Sequence, residues 1–451
     1  MGLVLQDCGN FIKAEIPFDT DLLDCHALNP ARYPFLLESH CTENIAQGFD
    51  ILFAFPGEVL EASTVADTDF FAQLDQRIEP PLNTTKADES GLPFTGGWFV
   101  FLSYELVGSI EEKLSNLKAE DGLPIASAVR IPAAIIKNHR DNTCWIVCER
   151  GLGHHLHEVW QDISASVKTT LRHPRVRLKE DDPKSFLKGV EKIKNYLKAG
   201  DTLQVNLSRK WVGEVLDNGS YLDVYRSLKA QNPAPFAGLA CYGDSVICSS
   251  SPERLVSCVG GKVQMRPIAG TRPRNKDGQK DKALADELLI NAKENAEHIM
   301  LIDLIRNDLG RVCRTGSVSV DEKMTLESYA AVHHIVSNVS GILSVNTMPS
   351  DIIKAVFPGG TITGCPKVRC MEIIQELEQT SRGAYTGSMG YINLNGDLDL
   401  NILIRTFTLK GKEISLRTGA GIVAESIAEN ELKETRHKAK ALLDALTINE
   451  D

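Results

Sequence analysis

Residues 391–400 read YINLNGDLDL, and this stretch indicates the class of fold. Hydrophobic and polar residues alternate on both sides of Asn395-Gly396, and an Asn-Gly pair favours the tight two-residue turn of a β-hairpin. The stretch therefore predicts two adjacent antiparallel strands.

The neighbouring sequence extends this pattern. Residues 403–409 and 414–416 flank Lys410-Gly411 and predict a second hairpin. Upstream, apolar residues recur at helical spacing over residues 186–197, and Gly200 follows where a helix C-cap fits. Long helices between groups of hairpin strands predict an α+β architecture rather than a parallel doubly wound one.

The chain has 451 residues, of which 43% are hydrophobic and 24% charged, the balance of a globular protein. A net charge of -11 argues against a nucleic-acid binder, but not against a small anionic substrate, because a pocket can be locally basic. The charged stretch LRHPRVRLKEDDPK at 171–184 contains two prolines. It predicts a boundary between an N-terminal region, residues 1–170, and a C-terminal domain, residues 184–446.

The sequence also bears on cellular location. Its apolar stretches are too short to span a bilayer, and the N-terminal MGLVLQDCGN lacks the features of a signal peptide. The eleven cysteines are scattered without a C-x-x-C pair, so neither a disulfide framework nor a zinc site is predicted. A reducing, cytoplasmic location is expected.

Two predicted helices each carry an E-x-x-E pair. Glu294 and Glu297 lie three residues apart, as do Glu431 and Glu434, so each pair shares one helix face. Carboxylates from two helices would suit a hard divalent cation, and magnesium is the natural candidate. Taken alone, each pair is more typical of a solvated helix face.

Glycine-rich segments accompany these helices. Residues 357–367, FPGGTITGCPK, fit neither a regular helix nor a central strand, and their backbone N–H groups could cradle an anion. Residues 418–421, TGAG, predict a second such loop. Arg405 is a charge within an apolar run and needs an anionic partner, either in a structural ion pair or in a ligand. Together these motifs suit a metal site beside groups that bind a small dicarboxylate.

Many short motifs from about residue 201 to residue 446 resemble, in order, those of the chorismate-binding enzyme family. They are QVNLSRK (204–210), NPAPFAG (232–238), SSPERL (250–255), RPIAGTRPR (266–274), ENAEHIMLIDLIRNDLGRV (294–312), VHHIVSNVSG (332–341), PGGTITGCPKVR (358–369), GAYTGSMGY (383–391), IRTF (404–407), and TGAGIVAES with ENELKETRHKAKAL (418–442). The resemblance implies the family fold, two large antiparallel sheets packed together with helices outside. It also makes residues 184–446 the chorismate-binding catalytic domain.

The resemblance implies how chorismate would be held. Magnesium would lie among the four glutamates, with Glu297 and Glu434 the direct ligands, and would bridge to the ring carboxylate. The residues expected near that carboxylate are Thr361, Gly419 and Lys438, and those expected to hold the enolpyruvyl carboxylate are Arg405 and Tyr385.

Two further residues are expected to act in the reaction. Glu253 resembles the general acid that helps the C4 hydroxyl leave, which a carboxylic acid in a dry cleft can do. His298 resembles the active-site histidine of the aminating members.

The kind of reaction follows from the spelling of the motifs. Water-adding members carry a lysine where this chain has Gln204, so ammonia is the expected nucleophile. QVNLS, NPAPF and FPGGTITG are typical of aminodeoxychorismate synthases, which make 4-amino-4-deoxychorismate for p-aminobenzoate and folate. Ala269 points the other way, because many of those enzymes carry lysine there and alanine is typical of anthranilate synthases. We expect the 4-amino product; the alternative is anthranilate synthase component I, which forms anthranilate and pyruvate for tryptophan biosynthesis.

The N-terminal region resembles the family less closely. Residues 35–39, FLLES, resemble the element that lines a tryptophan pocket, and the residues expected there are Leu37, Glu38, Ser39 and Pro233. A plain buried strand is the alternative interpretation.

The partner expectation rests on a missing motif. The sequence has no G-x-C-x-G nucleophile of a glutamine amidotransferase, so a separate glutaminase subunit is expected to deliver the ammonia. A non-catalytic relative that binds chorismate or tryptophan and regulates a partner is the alternative class, and the complete set of candidate residues argues against it. No nucleic-acid or membrane partner is expected.

Overall fold

The computed structural model describes residues 3–39, 48–78, 91–168, 170, 172–216, 218–275, 277–328 and 332–448, with the backbone alone at 269, 271, 273, 292, 293, 332, 447 and 448. The strands are β1 (Leu5–Asp7), β2 (Phe11–Ile16), β3 (Phe35–Glu38), β4 (Phe49–Ala54), β5 (Val59–Ala62), β6 (Gly97–Leu102), β7 (Ala126–Ile131), β8 (Ala133–Asn138), β9 (Thr143–Glu149), β10 (Arg175–Glu180), β11 (Gln204–Val215), β12 (Phe236–Tyr242), β13 (Ser245–Ser251), β14 (Arg254–Val259), β15 (Lys262–Met265), β16 (Ile268–Pro273), β17 (Ser319–Ser328), β18 (Val332–Ile342), β19 (Gly364–Cys365), β20 (Ser388–Asn393), β21 (Leu398–Asn401), β22 (Thr406–Lys410), β23 (Glu413–Ile422) and β24 (Thr447–Ile448).

The α-helices are α1 (Leu22–Leu28), α2 (Phe70–Asp75), α3 (Val107–Ile110), α4 (His154–Ala165), α5 (Pro183–Ala199), α6 (Tyr221–Gln231), α7 (Gly278–Ile290), α8 (Ala292–Gly310), α9 (Pro349–Val356), α10 (Lys367–Glu378) and α11 (Ala428–Leu443). Short 3-10 helices lie at Tyr104–Leu106, Glu112–Leu114 and Gly360–Ile362. Among the described residues, none of these helices has the length and apolar character that crossing a membrane requires.

Two large, mainly antiparallel sheets with helices outside confirm the predicted α+β fold. Within the described residues, the larger sheet has 14 strands in the order β1-β2-β9-β8-β4-β3-β12-β13-β22-β23-β11-β10-β24, with β19 paired to β11. The smaller sheet has 10 strands in the order β16-β18-β15-β14-β21-β20-β6-β7-β5, with β17 paired to β18. Strands on both sides of the predicted boundary share each sheet, since β3 pairs with β12 and β6 with β20.

An aromatic layer joins the two sheets. Successive side chains of a strand point to opposite faces, so Phe99 and Phe101 of β6 enter the layer, whereas Trp98 and Val100 join the cluster covered by α8 and α9. Phe35 of the larger sheet stacks on Phe99, with ring centroids 4.0 Å apart. This packing fixes how the strand ends of the two sheets meet, and the candidate site lies at that junction.

Local sequence signals set the limits of the helix predicted before Gly200, which is α5. Asp182 caps its first turn by accepting a hydrogen bond from the Lys184 N–H at 3.0 Å, and Pro183 suits the first helical position. Gly200 ends the helix in the left-handed region at φ 80°. The strand predicted after it is the first part of β11.

Both predicted hairpins form, as β20–β21 and β22–β23. The second hairpin begins at Thr406 and not at residue 403, because Arg405 has a φ of 51° that interrupts extended backbone. The prediction of a glycine loop at 418–421 is wrong, since these residues continue β23 and pair with β11.

Candidate active site

The candidate site lies where the chain passes between the two sheets. Glu253 lies in the link from β13 of the larger sheet to β14 of the smaller one, and Arg405 lies in the link from β21 to β22. Backbone hydrogen bonds hold these links: the Ile402 N–H donates to Glu253 O at 3.0 Å, and the Ser250 N–H donates to Arg405 O at 3.1 Å. Both side chains are therefore carried by rigid strand ends.

Glu253 and Thr361 are in direct contact. The Thr361 hydroxyl donates to Glu253 Oε1 at 2.8 Å, and Glu253 is 7% exposed. Burial raises the pKa of Glu253 to about 7, against the Thr361 hydrogen bond and the positive charge of Lys438. Near neutral pH both protonation states are present, as a general acid requires.

Lys438 reaches the same place from α11. Its Nζ donates to Gly419 O at 3.0 Å and pairs with Glu434 Oε1 at 2.7 Å. Gly419 leaves no room for a side chain, since a Cβ there would lie 2.5 Å from Asn206 Oδ1 and 2.8 Å from the Tyr385 hydroxyl. The structure thus brings Lys438, Gly419 and Tyr385 together.

Two polar side chains near the ends of β11 and β23, those of Gln204 and Tyr385, are uncharged. The Gln204 amide lies against Gly421, where a Cβ would lie 2.2 Å from its Nε2. An amide does not exchange protons near neutral pH, so Gln204 cannot act as a base. Tyr385 is also kept neutral, because burial raises the pKa of its hydroxyl to about 12.

Arg405 is partly buried, and burial lowers the pKa of its guanidinium. Among the carboxylates that the structure describes, none forms an ion pair with Arg405. A desolvated guanidinium favours a planar carboxylate that accepts two hydrogen bonds, so this group is suited to an anionic ligand.

The histidine that faces Arg405 is His334, which the sequence analysis did not single out. Burial, with a smaller contribution from the charge of Arg405, lowers the pKa of His334 to about 4. The predicted histidine, His298, instead lies with Nε2 2.6 Å from the Ser337 hydroxyl, and burial alone lowers its pKa to about 4. The His333-His334 pair could have indicated a histidine on the site side of β18, because adjacent residues of a strand point to opposite faces.

The first E-x-x-E pair begins α8. Glu294 pairs with Arg272 at 3.4 Å, and Glu297 lies one turn further along the helix. A Cβ at Gly270 would lie 2.9 Å from Glu294 Oε2, and Gly270 O lies 3.4 Å from His334 Nδ1. The start of α8 is therefore close to the His334 side of the site.

The second pair, Glu431 and Glu434, lies in the first two turns of α11, where Lys438 already pairs with Glu434. The four glutamates do not form a closed metal cage. Among the described residues, no three of the possible ligand atoms at these helices lie within 4.8 Å of one another, and a different part of the chain has the group that does. Magnesium binds through one or two carboxylates with waters and ligand oxygens, so it does not require such a cage.

The group of ligand atoms that does meet this spacing consists of His154, His155 and Glu158 on α4. Arg32 already donates to Glu158 at 2.9 Å. The group also begins a helix, where the exposed backbone N–H groups disfavour a cation. It is therefore a poor metal site.

Residues of the FLLES element line a cavity between the sheets. Leu37, Glu38 and Ser39 border a volume of about 90 Å³. The exposed Pro233 does not line it, whereas Pro235 does. An apolar cavity of roughly 150 Å³ holds a benzene molecule, so this volume alone is small for an indole. A neighbouring space of about 550 Å³ shares part of its lining.

Three charged groups border this cavity, and all three are paired. The buried Glu38 carboxylate accepts from the Tyr225 hydroxyl at 2.7 Å and from Lys229. Arg254 makes two hydrogen bonds of 2.9 Å to Asp399. Because Arg254 follows Glu253 directly, the cavity adjoins the candidate site at the start of β14.

One candidate cannot be placed in full. The side chain of Ala269 lies outside the described residues. Its backbone belongs to β16 and pairs with Ile335 of β18.

At the junction of two antiparallel sheets, a buried carboxyl with a raised pKa and a desolvated guanidinium define a site that suits a small carboxylic acid. The chain belongs to the chorismate binding enzyme family, whose pattern matches residues 34–444. An anthranilate synthase component I-like protein of Synechocystis sp. is 44% identical over 369 residues, 81% of this chain and 76% of that protein. Aminodeoxychorismate synthase component 1 of Bacillus subtilis is 43% identical over 378 residues, 79% of this chain and 78% of that protein.

A solved structure agrees with these relatives. Anthranilate synthase component I from Streptococcus pneumoniae TIGR4 superposes with a TM-score of 0.78 and 33% identity, covering 89% of this chain and 94% of that one. This chain is therefore a chorismate-utilising enzyme of the anthranilate and aminodeoxychorismate synthase type.

Proposed function

We propose that this chain aminates chorismate at C4 with ammonia and forms 4-amino-4-deoxychorismate. The observation that carries amination is the Gln204 amide, which lies against Gly421 beside Tyr385 and Gly419. Water needs a base to become a nucleophile, and an amide is not one. Ammonia brings its own lone pair and needs no such group.

Chorismate has two carboxylates, and the site offers cationic groups in two places. Arg405 and the neutral Tyr385 hydroxyl would hold the enolpyruvyl carboxylate through charge-assisted hydrogen bonds. Lys438, Thr361 and the backbone at Gly419 would surround the ring carboxylate. Magnesium, held by Glu297 and Glu434 with Glu294 and Glu431 beside them, would neutralise and orient that carboxylate.

Glu253 would supply the proton that the leaving hydroxyl needs. Its Oε1 accepts the Thr361 hydrogen bond, which leaves Oε2 to carry the proton. Transfer of this proton to the C4 oxygen lets the C4–O bond break with release of water. His298 stays the histidine that the resemblance places in the site, and the neutral His334 imidazole near Arg405 is a second candidate.

The proposed position of the amino group in the product depends on the exact residues found in the family motifs. QVNLS, NPAPF and FPGGTITG favour C4, whereas Ala269 favours C2 and hence anthranilate with pyruvate. Relatives with both names are similar to this chain to nearly the same degree, at 43% and 44% identity. The second candidate function is therefore that of anthranilate synthase component I.

Product identification tests the proposal. The purified chain is incubated with chorismate, magnesium and ammonium, with and without added aminodeoxychorismate lyase. The C4 reaction predicts p-aminobenzoate only when the lyase is present. Fluorescent anthranilate without the lyase, and no p-aminobenzoate with it, would show the C2 reaction. If chorismate is not consumed under any of these conditions, the result would favour a non-catalytic relative.

Two binding partners belong to this proposal. A separate glutaminase subunit would supply ammonia, so the isolated chain should use ammonium but not glutamine, and adding the subunit should confer glutamine use. Efficient glutamine hydrolysis by the isolated chain would contradict this. The cavity beside Leu37, Glu38 and Ser39 would admit tryptophan only together with the neighbouring space, and calorimetric titration with tryptophan tests that.

A further inference from the structure

A buried ion cluster lies beneath the candidate site. Glu378, at the end of α10, pairs with Arg382 at 2.7 Å and with Arg417 at 3.0 Å, and the three side chains are at most 5% exposed. Burial alone would raise the pKa of Glu378, but the charges of Arg382 and Arg417 outweigh burial and hold it below its ordinary value. Glu378 is therefore ionised in the folded protein.

The Arg382 guanidinium uses all five of its N–H donors. Nε and NH2 donate to Glu378 at 2.9 and 2.7 Å. NH1 donates to Ile362 O at 3.1 Å and to the Thr386 hydroxyl at 3.3 Å, and NH2 also donates to Asn206 O at 2.8 Å. A guanidinium has five donors in a fixed plane, so its orientation is fully determined by these acceptors.

Three of these acceptors lie in three different segments of the site. Ile362 follows Thr361, and Thr386 follows Tyr385. Asn206 is the residue of β11 whose side chain lies against Gly419. The Tyr385 N–H also donates to the backbone oxygen of Arg382 at 3.1 Å. The buried Arg382 side chain thus holds three segments: the one that carries Thr361, the one that carries Tyr385, and the part of β11 that lies beside Gly419.

We propose that Arg382 is a positioning residue of this active site: it fixes the Thr361, Tyr385 and Asn206 segments relative to one another without touching the substrate. The proposal rests on the proposed function, since turnover of chorismate is what it is expected to control. Misplacing a catalytic group by about 1 Å can cost about a hundredfold in rate, so loosening these segments should lower turnover before it unfolds the protein.

Arg417 provides a matched control. It pairs with the same glutamate and is similarly buried, but its other acceptors are the hydroxyls of Ser208 and Thr380 and the backbone oxygen of Ser381. None of these residues is next in the chain to a predicted site residue; Ser208 lies opposite Gly419, but that pairing is held by the backbones of β11 and β23 and not by Arg417. A purely structural role for the cluster predicts equal effects of equal changes at Arg382 and Arg417.

The test compares R382K with R417K in the full-length chain. Lysine keeps the charge next to Glu378 but has three donors on one atom and cannot span the same acceptors. We expect similar falls in melting temperature for both variants. R382K should lose at least tenfold in kcat with chorismate and ammonium, whereas R417K should stay within threefold of the parent.

A second readout is the pH profile. The Thr361 hydrogen bond lowers the pKa of Glu253. If R382K displaces Thr361, that pKa should rise and the alkaline limb of kcat/KM should move to higher pH. R417K should leave the alkaline limb unchanged. If R382K does not fold, T386V removes one acceptor of the guanidinium with little change of shape and should lower kcat/KM by twofold or more.

Equal losses of kcat in R382K and R417K, or parental kinetics of T386V where R382K does not fold, would overturn the proposal. A parent enzyme that does not consume chorismate at all would instead overturn the proposed function.

Discussion

Replacing Thr361 by valine removes one hydroxyl and keeps the shape of the side chain. The hydroxyl donates to Glu253 Oε1 at 2.8 Å inside a buried contact. A hydrogen bond to a charged group contributes about 1.5–3 kcal/mol, and one pKa unit corresponds to about 1.4 kcal/mol. We therefore expect the pKa of Glu253, about 7 in the parent protein, to rise by about one to two in T361V.

The sign of the effect follows from the role of Glu253 as an acid. A higher pKa keeps the carboxyl protonated to higher pH, so the alkaline limb of kcat/KM should move upward by about one to two pH units, although the maximal rate falls. The assay is chorismate consumption between about pH 6 and pH 9. Free ammonia must be held constant at each pH, because ammonium itself titrates in this range.

T363V is the control for this prediction. The Thr363 hydroxyl is buried in the same loop but donates to Gly359 O at 3.0 Å and not to Glu253. Its alkaline limb should match that of the parent. An unchanged or lowered limb in T361V would refute Glu253 as the acid whose ionisation limits the rate.

Other residues of the site yield three further predictions. R405K should weaken kcat/KM for chorismate at least tenfold, about 1.4 kcal/mol, because an ammonium does not reproduce a two-point contact with a carboxylate; unchanged kinetics would make Arg405 structural. E297Q and E434Q should abolish turnover while circular dichroism shows a folded protein, and near-normal activity at ordinary magnesium would remove both from the metal site. The parent protein should lose stability as pH rises from about 5 to 8, because the pKa of Glu253 is about 7 in the folded protein and ordinarily 4.5. E253Q lacks this ionisation, so its free energy of unfolding in urea should increase relative to the parent by up to about 3 kcal/mol over the same range. An equal difference at both pH values would contradict the raised pKa.

Local signals in the sequence were sufficient for the elements and for the fold class. The Asn395-Gly396 turn and the helix end at Gly200 depend on neighbours in the chain, and both formed as predicted. Strand order was not predictable in this way. The pairing of β3 with β12 joins segments far apart in the chain, and no local pattern specifies it.

The candidate site was likewise predictable only in part: the sequence indicated its residues but not their contacts. Sequence motifs supplied Glu253 and Thr361, but their contact depends on where the chain passes between the sheets. The glycines of TGAG predict a loop, but they lie in a strand and admit the close approach of Gln204 and Tyr385. Sequence motifs pointed to His298, whereas His334 became a second candidate only through its electrostatic interaction with Arg405, which no local pattern specifies.

The interleaving of early and late strands bears on how the protein is made. On the ribosome, β3 emerges long before β12, so one edge of β3 stays open until residues 236–242 have been synthesised. The larger sheet is completed only by β24, which pairs with β10 at the end of the chain. Folding dominated by such distant pairings is slow and leaves strand edges exposed to aggregation. We therefore expect the nascent chain to need chaperone protection until β24 has been synthesised, and a fragment ending near residue 170 to be insoluble.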